Sequence, residues 1–130
     1  MTSTTSTAPK SRLDLVGIAL SGLCLLHCLA IPLVATGALA WAASESIHIG
    51  LTVALSVVVV AVAVPSYQRH RRASIPALLV GGIALLVAAV TVGEAMGELA
   101  ETLLTVAGSI VLIAGHVLNL RLRPVGRPVA

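Results

Sequence analysis

Three side chains that bind soft metal ions lie close together in an apolar stretch near the N-terminus. Cys24, His27 and Cys28 stand in the motif Cys24-Leu25-Leu26-His27-Cys28. On a helix, residues three and four apart share a face, so Cys28 stacks on Cys24 and His27 lies beside them. Thiolate and imidazole favour Zn(II), Cu(I) or Hg(II) over Mg(II) or Ca(II). The motif therefore predicts a soft-metal site. The alternative is that both cysteines act as small apolar residues and His27 hydrogen-bonds to a neighbouring helix.

A second set of polar residues lies in the last apolar segment. Ionisable groups inside a membrane span are costly and are by default functional candidates. The set recurs at intervals of three and four residues, which places it on one helical face, and consists of Thr105, Ser109, Leu112, His116 and Asn119. We expect this face to point into the protein. In this hypothesis His116 completes or receives the coordination of the Cys24–Cys28 ion, and Asn119 orients His116.

Several ionisable residues flank the apolar segments. Glu45 and His48 form a carboxylate and imidazole pair at the start of the second segment, where they could capture an incoming ion. His70 could receive the ion at the other membrane surface, and Glu94 belongs to a group of outer carboxylates that would concentrate cations. We treat His48 as a metal ligand and Glu45, Asn119, His70 and Glu94 as possible secondary ligands.

The composition is that of an integral membrane protein. The chain of 130 residues is 58% hydrophobic and 10% charged, whereas soluble domains are roughly 45–50% apolar. The formal net charge of +3 does not indicate nucleic acid, because the basic residues show no interleaved aromatic pattern and gather at the ends of apolar runs.

Apolar runs predict four membrane-spanning helices, at about residues 13–43, 47–64, 75–92 and 103–120. The second is rich in valine, but an open strand cannot satisfy its backbone in hydrocarbon, so a helix is expected. Pro65 is expected to end this helix, followed by a basic loop. Residues 1–12 are predicted to be a disordered cytoplasmic tail and residues 124–130 a second cytoplasmic tail. Lys10 and Arg12 precede a run too long for a cleavable signal, which favours a retained first span.

The charges define an orientation. All basic residues fall on one side of a four-span arrangement: Lys10, Arg12, Arg69, Arg71, Arg72, Arg121, Arg123 and Arg127. The glutamates Glu45, Glu94, Glu98 and Glu101 fall on the other side. By the positive-inside rule both termini are cytoplasmic. Short loops predict that consecutive helices pack antiparallel, giving an all-α four-helix transmembrane bundle.

Other chemistries fit the residues less well. Covalent haem attachment needs Cys-x-x-Cys-His, whereas this chain has Cys-x-x-His-Cys. A haem held by His27 and His116 would lack an aromatic lining, because the chain has no Phe. Cysteines four apart on a helix are badly placed for a disulfide. We expect no permanent cofactor and no enzymatic activity.

The chain resembles the MerC family of small four-span inner-membrane proteins that take up mercuric ion. The resemblance covers about residues 13–123. It rests on Ser21-Gly22-Leu23-Cys24-Leu25-Leu26-His27-Cys28 followed by Pro32, on His48, on His70-Arg71, and on Ala114-Gly115-His116-Val117-Leu118-Asn119-Leu120-Arg121. It implies import of a thiophilic cation from the periplasm to the cytoplasm, with Cys24 and Cys28 as the membrane-embedded ligands.

The cargo stays open between Hg2+ and Zn2+. Mercury-operon members of the family carry an additional cysteine pair near the cytoplasmic end, whereas this chain has two cysteines in total. We therefore expect a multi-pass protein of the cell inner membrane that transports one of these ions. Its partners would be the metal ion, the lipid bilayer, a periplasmic or cytoplasmic metal carrier and a second copy of the chain. The rival hypotheses are a membrane metal sensor or accessory subunit that binds without conducting, and a structural subunit with incidental cysteines.

Overall fold

Four α-helices make up the part of the chain that the structure describes. The computed structural model describes residues 8–34, 44–70 and 73–122. Helix α1 runs over Ala8–Val34, α2 over Glu45–His70, α3 over Ser74–Met96 and α4 over Glu98–Arg121. The all-α prediction is confirmed.

Each helix contains a segment that is long and apolar enough to cross a membrane. These segments are Arg12–Ala30, Glu45–Gln68, Ser74–Gly93 and Glu98–Arg121. They overlap the four predicted spans, so the chain has the fold of a multi-pass membrane protein. The side of the membrane on which the termini lie stays a prediction.

The expectation that Pro65 ends the second helix is wrong. Helix α2 continues through Pro65 to His70, so Tyr67 and Gln68 are helical and do not lie in a loop. Proline removes one backbone donor and one hydrogen bond from a helix. Membrane helices tolerate this loss because the surrounding helices and local adjustments satisfy the freed carbonyl.

Consecutive helices pack side by side in a closed antiparallel arrangement. Helix α4 packs against α3 and α1, and α2 packs against α3 and α1. Asp14 near the start of α1 meets His116 and Asn119 near the end of α4. We call the end of the bundle with Arg12 and Arg121 the terminal end, and the opposite end, where α2 and α4 begin, the distal end.

Helices α3 and α4 approach most closely at two glycines. A Cβ added to Gly108 would lie 2.9 Å from the carbonyl oxygen of Gly82, and one added to Gly82 would lie 3.1 Å from that of Gly108. Side chains at either position would separate the helices, as in membrane helix pairs packed through small residues. Gly82 is buried at this contact, whereas its neighbour Gly81 is exposed.

A single residue separates α3 from α4. Gly97 has φ 95°, a value that residues with a side chain rarely adopt. Its carbonyl accepts hydrogen bonds from the backbone N–H groups of Ala100 and Glu101 at 3.0 and 3.1 Å. The connection between the two helices is therefore this one glycine, and Glu98 and Glu101 lie at the start of α4.

The bundle buries a narrow core and exposes apolar side chains to its surroundings. Leu55, Leu79, Leu86 and Leu112 are fully buried. On the outside of α2, Val57 is 65% exposed, which suits contact with lipid and would be unfavourable in water.

Some sequence predictions lie outside the described residues. These are the end of the first predicted span at residues 35–43, most of the N-terminal tail, the C-terminal tail, and the side chains of Pro32, His70 and Glu94.

Candidate metal site

Helix α1 turns one continuous polar and small-residue face toward the interior. Asp14, Gly17, Ser21 and Cys24 are buried and Cys28 is half-buried. They follow one another at intervals of three and four residues, which keeps them on one side of a helix. The cysteines are thus the distal members of a row that begins with a carboxylate.

Two cysteines of α1 and one histidine of α2 come together at the distal end. Cys24, Cys28 and His48 each offer a ligand atom, and these three atoms lie within 4.8 Å of one another. Cys24 is fully buried, His48 is 8% exposed, and both cysteines are free thiols. We call these three residues the thiol site.

The imidazole of His48 contacts helix α4 through both ring nitrogens. Nδ1 lies 3.3 Å from Oε1 of Glu101, and Nε2 lies 3.5 Å from Oγ1 of Thr105. Thr105 in turn donates a hydrogen bond to the backbone carbonyl of Glu101 at 2.9 Å. A carboxylate on one ring nitrogen orients a metal-binding histidine and increases its basicity. Glu101 is therefore placed to support His48 as a ligand.

The thiol site has the chemistry of a site for a soft or borderline ion. Two thiolates balance the charge of a divalent ion, which offsets the desolvation that makes each charge costly in a low-dielectric interior. Three protein ligands leave a position open, as in zinc sites that exchange a bound molecule. Such a site can accept an ion and pass it on.

His27 lies near this site but outside the group of three. Its ring centroid is 6.5 Å from that of His48, and its side chain is half-buried. The sequence alone placed His27 beside the cysteines on one face. In the structure the residue whose ligand atom lies with those of the two cysteines is His48, which comes from another helix.

Three buried hydroxyls line the interior between the two ends of the bundle. Ser21 on α1, Thr52 on α2 and Ser109 on α4 carry side-chain oxygens that have no hydrogen-bond partner within the described part of the chain. Buried polar groups are normally paired, so three unpaired hydroxyls in one interior are a notable exception.

A separate polar cluster lies toward the terminal end. His116 Nδ1 is 3.0 Å from Oδ1 of Asp14, and Asn119 donates from Nδ2 to both oxygens of Asp14 at 3.0 and 2.9 Å. Ser66 of α2 donates to Oδ1 of Asn119 at 2.8 Å. We call these four residues the carboxylate cluster, and all four are buried.

The predicted site residues therefore divide between two places. Cys24, Cys28 and His48 meet in the thiol site, whereas His116 and Asn119 lie against Asp14. Asn119 bonds to the carboxylate rather than to the imidazole that it was expected to orient. Glu45 is exposed at the start of α2.

Asp14 is the residue that the sequence analysis missed. Asp14 could have been identified from the sequence, because a carboxylate inside an apolar span is itself a functional candidate. It also lies on the same face of α1 as the two cysteines.

The comparison with known proteins covers both clusters. The MerC mercury resistance protein family matches residues 14–121, most of the chain. No curated protein and no solved structure matches the chain. The match extends from Asp14 to Arg121 and so includes the thiol site, the carboxylate cluster and all four apolar helices. The chain belongs to the MerC mercury resistance family.

Proposed function

We propose that this protein imports a thiophilic or borderline divalent ion, Hg2+ or Zn2+, across the bacterial inner membrane. Family membership and four apolar helices support a mercury-related membrane function. The observation that carries the proposal is the thiol site, in which two thiols and an imidazole from two helices lie within 4.8 Å inside a membrane bundle.

The position of the site favours a role in transport. His48 and Glu101 lie at the distal end, where α2 and α4 begin. In the predicted orientation this is the periplasmic end. Glu101 is partly accessible, with 36% of its side chain exposed, and it contacts the almost buried His48. An ion arriving from outside would meet the carboxylate first, then the imidazole, then the thiols.

The membrane potential supplies a driving force for import. An inside-negative potential of 100 mV favours entry of a divalent ion by about 4.6 kcal/mol, from about 2.3 kcal/mol for each elementary charge. This free energy favours uptake without nucleotide hydrolysis.

The test is uptake of Zn2+ and Hg2+ into proteoliposomes at an imposed inside-negative potential. We expect Cys24→Ser/Cys28→Ser to lose uptake, because the serine hydroxyls keep the size of the thiols and do not bind soft ions. A matched pair of histidines gives a sharper control. His48→Ala should lower uptake at least 10-fold, and His27→Ala, from the neighbouring ring outside the thiol site, should change it less than twofold.

Equal uptake by wild type and the double serine variant would overturn the proposal. Stoichiometric metal binding without uptake would also overturn it and would favour the rival hypothesis of a sensor or accessory subunit. Comparing the initial rates for the two ions measures which one is the cargo.

A further inference from the structure

The geometry points to a second metal station in this protein: the carboxylate cluster binds a divalent cation through oxygen and nitrogen ligands, on the terminal side of the thiol site. This inference rests on the proposed transport function and adds a second binding site to it. The chemical class of ligand is a borderline divalent ion, for which Zn2+ is the test species.

The polar atoms of the cluster form a chain of hydrogen bonds across α1, α2 and α4. The chain runs from Ser66 through Asn119 and Asp14 to His116, and each link is 2.8–3.0 Å long. Around Asp14 it brings together carboxylate oxygen, imidazole nitrogen and a side-chain amide, and carboxylate oxygen, imidazole nitrogen and amide oxygen are ligands for Zn2+ and other borderline ions. Rotating the Asn119 amide by half a turn replaces its N–H donor with Oδ1, so that it too can face a cation. Asp14 is the acidic residue of this set.

One ring nitrogen of His116 does not take part in the hydrogen bonds of the cluster. Its Nε2 is buried and has no hydrogen-bond partner within the described part of the chain. A metal ion can bind at Nδ1 in the neutral tautomer that carries the ring proton on Nε2. The ring is therefore able to exchange a hydrogen bond to Asp14 for a metal bond.

The two sites lie along one route. Asp14 precedes Cys24 by ten positions on α1, which at about 1.5 Å per residue is roughly 15 Å along the helix axis. This distance is about half of a hydrocarbon core of roughly 30 Å. The buried hydroxyl of Ser21 lies on α1 between the two sites, and that of Ser109 lies on α4 close to Cys24. An ion that leaves the thiol site toward the terminal end has these oxygens and then the carboxylate cluster as its next polar neighbours.

The two ligand sets differ in softness, and this difference bears on the cargo. The thiol site holds soft ligands, and the carboxylate cluster holds harder ones. Zn2+ binds well to both sets, whereas Hg2+ prefers the thiols. The second station therefore favours Zn2+ as an ion that can travel the whole route.

The test is the number of ions bound by the purified full-length protein in lipid nanodiscs. Equilibrium dialysis with Zn2+ should give two ions per chain for wild type and one for Cys24→Ser/Cys28→Ser. Adding Asp14→Asn to the double serine variant should remove the remaining ion. Co2+ provides a spectroscopic readout. Wild type should show thiolate-to-cobalt charge-transfer absorption, and the double serine variant should keep only the weaker bands of a cobalt site with oxygen and nitrogen ligands.

The outcomes separate this inference from the proposed function. One ion in wild type and none in the double serine variant would overturn the second station and leave the thiol site standing. One ion in both wild type and the double serine variant would overturn the thiol site as a metal site and leave the second station standing. Because these two measurements do not use an Asp14 variant, the result holds even if Asp14→Asn fails to fold. A folded Asp14→Asn variant of the otherwise wild-type chain should bind one ion with the full thiolate–cobalt absorption. If it still binds two ions, the cluster is a structural hydrogen-bond network only.

Discussion

The thiol site and the carboxylate cluster lie on the same row of α1, yet they are held in different ways. Four hydrogen bonds of 2.8–3.0 Å join the carboxylate cluster across three helices. At the thiol site the contacts outside the group of three are longer, at 3.3 Å from His48 to Glu101 and 3.5 Å from His48 to Thr105.

This difference separates stability from metal affinity. Hydrogen bonds between membrane helices contribute modestly one by one, but removing one partner leaves other buried groups unsatisfied. Replacing the thiols leaves few buried groups without a hydrogen-bond partner. We therefore expect changes at the terminal end to lower the free energy of unfolding as well as the binding of the second ion, and changes at the distal end to lower metal affinity at the thiol site while the fold persists.

The largest effect on stability should come from Gly17→Ala. A Cβ at this position would overlap Nε2 of His116, so the buried ring would have to move. Overpacking of this kind typically costs about 1–3 kcal/mol. Gly22→Ala is the matched control on the same helix, because nothing lies within 4 Å of a Cβ there. Reversible unfolding in mixed micelles measures both. Equal stability of the two variants would mean that the ring is not held as described.

A smaller effect, on affinity alone, is expected for Glu101→Gln. The amide keeps the size of the side chain but removes the charge that orients His48, and loss of such a partner lowers metal affinity about 10- to 100-fold. Zn2+ titration should show this loss with the unfolding free energy unchanged within about 0.5 kcal/mol. The control is Glu98→Gln, an exposed carboxylate in the same first turn of α4. If Glu101→Gln and Glu98→Gln bind Zn2+ with equal affinity, Glu101 does not support the thiol site.

The smallest effect should come from Ser66→Ala. It removes one hydrogen bond, from Ser66 Oγ to Asn119 Oδ1, and interhelical bonds of this type average about 0.6 kcal/mol. Ser56→Ala on the same helix removes a bond to the carbonyl of Thr52 within α2 and should change stability less. A loss above about 2 kcal/mol for Ser66→Ala would show that the cluster acts cooperatively.

The helices and the inward face of α4 could be predicted from the sequence because both follow from one-dimensional patterns. Apolar length determines a span, and the interval of three and four residues determines a face. Thr105, Ser109, His116 and Asn119 are indeed buried. The helix through Pro65 could not be predicted this way, since tolerance of a proline depends on the neighbouring helices.

The grouping of ligands could not be predicted from patterns within one helix. His27 is adjacent to the cysteines in sequence, but His48 reaches them from α2, and His116 lies against Asp14. The axial offset between neighbouring helices determines which of their inward-facing residues come into contact. The one-glycine connection and the close contact of Gly82 with Gly108 set that offset for α3 and α4.

The connection at Gly97 also bears on how the protein enters the membrane. With one residue between them, α3 and α4 form a helical hairpin whose contacts are local in sequence, and local contacts form early in folding. We expect the translocon to release this hairpin into lipid as a unit, with Gly97 at its leading tip. Helix α4 would then already be oriented by α3 when α1 and α2 dock. Cys24 and Asp14 of α1 would therefore be aligned against a helix pair that is synthesised last.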